Sequence, residues 1–158
     1  MTTVILLDTS GSMAWTVGTR RRIDVLADIL KAIPPRSDVR RVSFNSVVTE
    51  IDNDLPEPGG GTALADALTF AATTNPDHVI VISDGEPDNA EEAIAAARKL
   101  GPCRIETYFC GDEAHHEAIA FLRALAWCSA DGLGVAAIAD LTQPQRLAED
   151  LRLALTHG

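Results

Sequence analysis

The sequence predicts an α/β protein built on a doubly wound, mostly parallel sheet of six strands, with one antiparallel edge strand and helices on both faces. Three observations carry that expectation. Short apolar runs alternate along the 158-residue chain with segments whose apolar residues recur at helical spacing. Several of the runs, Val4-Ile5-Leu6-Leu7 and Val79-Ile80-Val81-Ile82 among them, are apolar without interruption, as in strands covered on both faces. One neighbouring pair of runs is joined by just Asn45-Ser46, too short for a crossover and right for a hairpin.

Taken in order, Thr3 to Asp8 is the first strand, and it ends on a carboxylate. Arg20 to Ile33 is a helix, with Ile23, Leu26, Ala27, Leu30 and Ile33 at helical spacing and Pro34-Pro35 to stop it. Val39 to Phe44 and Val47 to Ile51 form the hairpin. Asp52 to Gly61, rich in Pro, Gly and acid, is irregular. Thr62 to Thr73 is an Ala/Leu-rich helix, His78 to Ser83 a strand, and Asn89 to Leu100 a helix ending at Gly101-Pro102. Arg104 to Cys110 is a strand, Glu113 to Trp127 a helix, Gly134 to Ile138 a short strand, and Pro144 to Leu155 the last helix. The sum is a Rossmann-like single domain over residues 1–158. Ligands of such sheets bind outside the carboxyl ends of the strands at the switch point. The residues to question are therefore 8–12, the start of the helix at Thr62, 84–88 and 111–112.

Composition narrows the function. The chain carries 13 Lys and Arg against 23 Asp and Glu, a formal charge of −10. The excess is uneven: residues 1–50 hold seven basic and five acidic side chains, residues 51–158 six and eighteen. A surface that acidic repels phosphate backbones, which argues against a nucleic-acid partner. The N-terminus lacks a basic segment before its short apolar run, and no apolar stretch approaches the length of a membrane span. Cys103, Cys110 and Cys128 stand in no C-x-x-C arrangement and read as free, buried thiols of a reducing compartment, so the expected location is cytoplasmic and no membrane partner is expected.

The chemistry lies after the first strand. Asp8-Thr9-Ser10-Gly11-Ser12 places a carboxylate and two hydroxyls two residues apart in a tight loop. Thr62 after Gly59-Gly60-Gly61 and Asp84 after the fourth strand add two more oxygens at strand and helix ends. Hard oxygen donors suit Mg²⁺, Mn²⁺ or Ca²⁺. Asp8-x-Ser10-x-Ser12, Gly60-Gly61-Thr62 and Ser83-Asp84-Gly85, in that order, resemble the metal-ion-dependent adhesion site (MIDAS) of the von Willebrand factor A (vWA) domain family. The resemblance spans essentially the whole chain and extends to the strand running from Tyr108 to Gly111, with Asp112 after it. It implies Mg²⁺ or Mn²⁺, with Ca²⁺ less suited, held by Ser10, Ser12 and Thr62, with Asp8 and Asp84 binding directly or through water.

That donor set favours binding over catalysis. Few direct carboxylates leave the metal electrophilic, and an acidic side chain of another protein is a natural ligand for its open position. No G-x-S-x-G elbow is present, and none of the four histidines falls at a strand end near the motif. The expectation is a metal-dependent protein interaction module without enzymatic activity. The resemblance further implies an AAA+ ATPase of the MoxR or chelatase type, or another multiprotein assembly, as partner; a metal-dependent hydrolase or phosphatase on the same sheet is the alternative. Trp15, Val17, Glu86 and Asp112 are candidate partner contacts around the site. Gly59-Gly60-Gly61 lacks the lysine of a phosphate-binding loop. Arg20-Arg21-Arg22 reads as a solvated helix start, with a patch for an acidic partner as its sharper alternative.

Overall fold

The structure, a computed structural model, describes residues 2–52, 54–85, 87–111, 114–129, 134–139 and 141–157. β1 (Thr3–Asp8) leads through a 3-10 turn (Gly11–Ala14) into a short ribbon of β2 (Thr16–Val17) and β3 (Arg20–Arg21), and then α1 (Arg22–Ala32). There follow β4 (Val39–Phe44), β5 (Val48–Ile51), α2 (Leu64–Ala72), β6 (His78–Ser83) and α3 (Ala90–Arg98). The chain finishes with β7 (Arg104–Phe109), α4 (His116–Ala126), β8 (Val135–Ile138) and α5 (Pro144–His157). One sheet runs β5-β4-β1-β6-β7-β8, with β4–β5 antiparallel and every other pair parallel. This is the sheet expected from the sequence.

The uninterrupted apolar runs are explained by two cores. Val4 and Leu6 of β1 face α2, α3 and α4 with Val42, Phe44, Val79, Val81 and Ile105, while Ile5 and Leu7 face α1 and α5 with Ile80 and Ile82. All four β1 side chains are fully buried, each contributing roughly 1.5–3 kcal/mol relative to exposure. Among the described residues no helix is long and apolar enough to cross a membrane.

From β1 the chain crosses through α1 to β4 on one side, and from β5 it returns through α2 to β6 on the other. The switch point therefore lies between the carboxyl ends of β1 and β6, where Asp8 and Ser83-Asp84 stand.

Three helix starts depart from expectation by two or three residues. Helix α1 begins at Arg22 because Thr16–Arg21 and Val17–Arg20 pair as a ribbon and Arg22 N donates to Trp15 O at 2.9 Å. Helix α2 begins at Leu64 with Ala63 as its cap residue, so Thr62 precedes the helix and does not cap it. The helix expected from Glu113 begins at His116.

Candidate functional site

Asp8 is fully buried at the end of β1. Its Oδ1 accepts from Ser10 N at 2.8 Å, an Asx turn that redirects the chain. Its Oδ2 accepts from Ser83 Oγ at 2.7 Å, across from β1 on β6. Ser83 Oγ in turn accepts from Gly85 N at 2.9 Å. The turn and the site are thus one construction, because the carboxylate that shapes the loop also ties it to the neighbouring strand end. Gly85 is required there: its φ is 78°, and a Cβ would lie 2.9 Å from Ala118 O of α4.

The loop then delivers its hydroxyls. Ser10 Oγ lies 3.3 Å from Ser12 Oγ, and Ser12 Oγ donates to Asp84 Oδ2. Asp8, Ser10 and Asp84 are buried and Ser12 is partly so. Four of the five expected ligands are therefore linked by hydrogen bonds into one cluster. Thr62, also buried, is brought to the same loop through backbone. Gly11 N donates to Gly60 O at 3.3 Å and Gly59 N to Thr9 O at 3.1 Å. Asp88 clasps Thr62 from the other side, its Oδ1 accepting from Thr62 N at 2.9 Å and its N donating to Thr62 O at 3.0 Å. Gly61 N donates to Ser46 Oγ at 2.7 Å. With the amides of Gly59 and Gly61 engaged by the protein itself, the glycine run is a spacer and not a phosphate cradle.

Arg22 departs from the solvated helix start expected of the three arginines. Of the three arginines, Arg20 pairs with Asp28 at 2.7 Å and Arg21 with Asp24 and Glu57 at 2.9 and 3.0 Å, on the surface as expected. Arg22 turns inward. Its side chain is 11% exposed, its Nη1 lies 3.9 Å from Asp84 Oδ2 and donates to Ser12 O at 3.4 Å. The Trp15 ring covers the guanidinium, with 5.6 Å between its centroid and Cζ. Helical spacing carries the signal that identifies it: Arg22 stands four residues before Leu26 and eight before Leu30, both fully buried, so it belongs to the inward stripe of α1.

The cluster imposes its charge on its surroundings. Burial, followed by Asp8 and Asp84, pushes the Cys110 thiol well above its ordinary range, with Arg22 opposing. Of the expected partner contacts, Trp15 is 60% exposed at the rim. Val17 is half-buried against the α1 side of the core, so its main role is packing. Glu86 and Asp112 lie outside the described residues. A cleft of about 670 Å³ opens beside the site, between Gly85 and Pro87 on one wall and His116, Glu117 and Phe121 of α4 on the other. Among the described residues no three His, Cys, Asp or Glu side chains gather as metal ligands. The candidate centre is of another kind, with two carboxylates and two serine hydroxyls, and with buried Thr62 brought to the same loop.

No family model and no curated protein matches the sequence. Solved structures do match. An aerotolerance-related membrane protein from Bacteroides fragilis, carrying multiple mutations to serine, is similar at a TM-score of 0.71 and 17% identity, over 99% of this chain and 98% of that one. A von Willebrand factor type A protein from Catenulispora acidiphila matches at 0.69 and 18% identity, over 95% of this chain and 41% of that one. The manganese-loaded TRAP protein of Plasmodium vivax matches at 0.65 and 21% identity, over 92% and 71%. At these identities the likeness establishes the fold, which is of the vWA type expected from the three motif pieces.

Proposed function

We propose that this vWA-fold chain is a metal-dependent protein interaction module, in which Mg²⁺ or Mn²⁺ at the β1–β6 switch point completes a contact with an acidic side chain of a partner. The observation that carries the reading is the Ser10–Ser12–Asp84 hydrogen-bonded cluster beside buried Asp8. The residues fit a divalent ion: two buried carboxylates are joined through the loop, and the Ser10 and Ser12 hydroxyls, hard oxygen donors, lie 3.3 Å apart beside Asp84. Ser10, Ser12 and Thr62 hydroxyls with Asp84 would hold the ion, and Asp8, already accepting at both oxygens, would act through water. Bound there, the metal supplies Lewis acidity toward an oxygen ligand. The manganese-loaded state of the Plasmodium vivax TRAP protein, similar in fold, supports this choice of ion.

The chain's own residues do the rest. Asp8 fixes the loop, Asp88 fixes Thr62, and Trp15 offers an exposed aromatic surface beside the centre. An AAA+ ATPase of the MoxR or chelatase type is the partner class we carry forward, with a cytoplasmic setting. Binding and hydrolysis are separated by assaying the protein with Mn²⁺ on generic phosphoester and ester substrates beside Asp8→Ala. No turnover above the metal-only blank is expected. Turnover that Asp8→Ala abolishes contradicts the interaction-module reading and establishes a hydrolase.

A further inference from the structure

The inward arginine changes the electrostatics of the centre. Among the described residues, the charged side chains meeting there are buried Asp8 and Asp84 and the largely covered Arg22, 11% exposed. Two carboxylates and one guanidinium leave the cluster with one negative charge. A divalent ion reverses this to one positive charge. Without Arg22 the same two carboxylates and the same ion would balance, and the pull on an anion would come from the metal's open position alone, with no net charge behind it. Asp88 lies close by but is exposed to solvent, where its charge is screened. A net charge held in a largely desolvated place is costly until it is matched.

We propose that Arg22 makes this site require a monoanionic carboxylate: it leaves the metal-loaded cluster one positive charge in excess, which a single Asp or Glu side chain of a partner balances. The inference rests on the metal reading above and adds what selects the ligand. Trp15 keeps the guanidinium in place. Its ring lies over Arg22, and Arg22 N donates to Trp15 O, so the ribbon and the first turn of α1 lock the charge against Asp84 and Ser12. The arginine and the metal then share one carboxylate, Asp84. Like charges on one ligand weaken each other's hold, so the ion binds weakly alone and more tightly once an anion arrives. Metal and carboxylate binding become reciprocally coupled.

Calorimetric titration with Mn²⁺, with and without excess sodium acetate at constant ionic strength, reads this coupling. In the unaltered protein acetate is expected to tighten Mn²⁺ binding by about tenfold, within the usual range for coupled sites. In Arg22→Gln, Mn²⁺ alone is expected to bind more tightly than in the unaltered protein, and the acetate effect to fall below about twofold. Arg22→Lys keeps the charge and is expected to keep most of the coupling, which a purely structural role for the arginine does not explain. Arg22→Met, with an apolar stem to lie beneath Trp15, carries the test if the glutamine variant does not fold. An acetate effect in the uncharged variant equal to that of the unaltered protein overturns the role of Arg22. Failure of both proteins to take up Mn²⁺, in acetate or without it, overturns the metal reading itself, and the titrations without acetate tell the two failures apart.

Discussion

Asp8 accepts hydrogen bonds at both oxygens from its own protein, whereas Asp84 is shared by a hydroxyl and a guanidinium, so substitutions at the two should be felt differently. Asp8→Ala strands the Ser10 amide and the Ser83 hydroxyl in a buried place and is expected to cost about 1–3 kcal/mol of stability, measured by urea unfolding. Ser12→Ala removes one partly exposed hydroxyl and is expected to cost less than about 1 kcal/mol, so any loss of metal binding there reflects ligation and not unfolding. The thiols give an independent check on burial. Burial pushes Cys103 up to about 11 and Cys110 well above its ordinary range, while Cys128 is half-exposed. Under native conditions a thiolate-selective reagent should label Cys128 and spare the other two until denaturant is added. Asp8, Ser10, Ser12 and Asp84 were legible as residues that follow strand ends, where local pattern locates them, while Thr62 was read as the first residue of a helix that starts only at Leu64. Arg22 stood out from its two neighbours only by its spacing to Leu26 and Leu30, because the ribbon that ends at Arg21 and starts α1 at Arg22 is not announced by local pattern.

The loops that assemble the centre are held by backbone groups, and this is where sequence reading falls short. No pattern in residues 59–88 announces that Asp88 grips Thr62, and that grip accompanies the start of α2 at Leu64 instead of Thr62. The six strands of the main sheet were legible to within a residue or two because short apolar or β-branched runs are bounded by polar or turn residues, whereas the β2–β3 ribbon was not. Gly60 gives the loop a definite test. Its φ is 71°, a Cβ there would lie 2.6 Å from Ser46 Oγ, and its carbonyl receives Gly11 N. Gly60→Ala is expected to destabilise the protein by about 1–3 kcal/mol and to weaken metal binding at the same time. Asn89→Ala is the contrasting case. Asn89 caps α3 by accepting from Glu92 N at 3.0 Å, so its loss should cost about 1 kcal/mol and leave metal affinity unchanged. Thermal unfolding beside a metal titration distinguishes the two.

The fold separates its polar investments along the sheet. The candidate centre is at the carboxyl ends of β1 and β6, while the amino ends of β6 and β7 carry a second buried group. There Glu106 receives Tyr108 Oη at 3.2 Å and Arg104 Nη2 at 3.0 Å, with His78 Nε2 3.4 Å away. Burial alone would raise the Glu106 carboxyl, but His78, Arg104 and Tyr108 together outweigh it and hold it below the usual range. A carboxyl lowered on folding contributes stability above its unfolded value of about 4.3 and loses it as pH falls through the folded value. Glu106→Gln should therefore lower stability at neutral pH and flatten the loss of stability on acidification below about pH 4. Equal acid slopes in the two proteins would contradict this. The fold class was legible because alternation and the hairpin together leave few topologies; the linkage of three distant loops into one centre depends on which strand neighbours which, and only the resemblance of the three motif pieces pointed to it. That linkage is the central claim, and Mn²⁺ uptake followed by loss of the free-ion electron paramagnetic resonance signal tests it most directly. The unaltered protein is expected to bind a single Mn²⁺ that Asp84→Ala and Ser12→Ala each weaken by at least about tenfold. No uptake at millimolar Mn²⁺, or uptake that Asp84→Ala leaves unchanged, would contradict it.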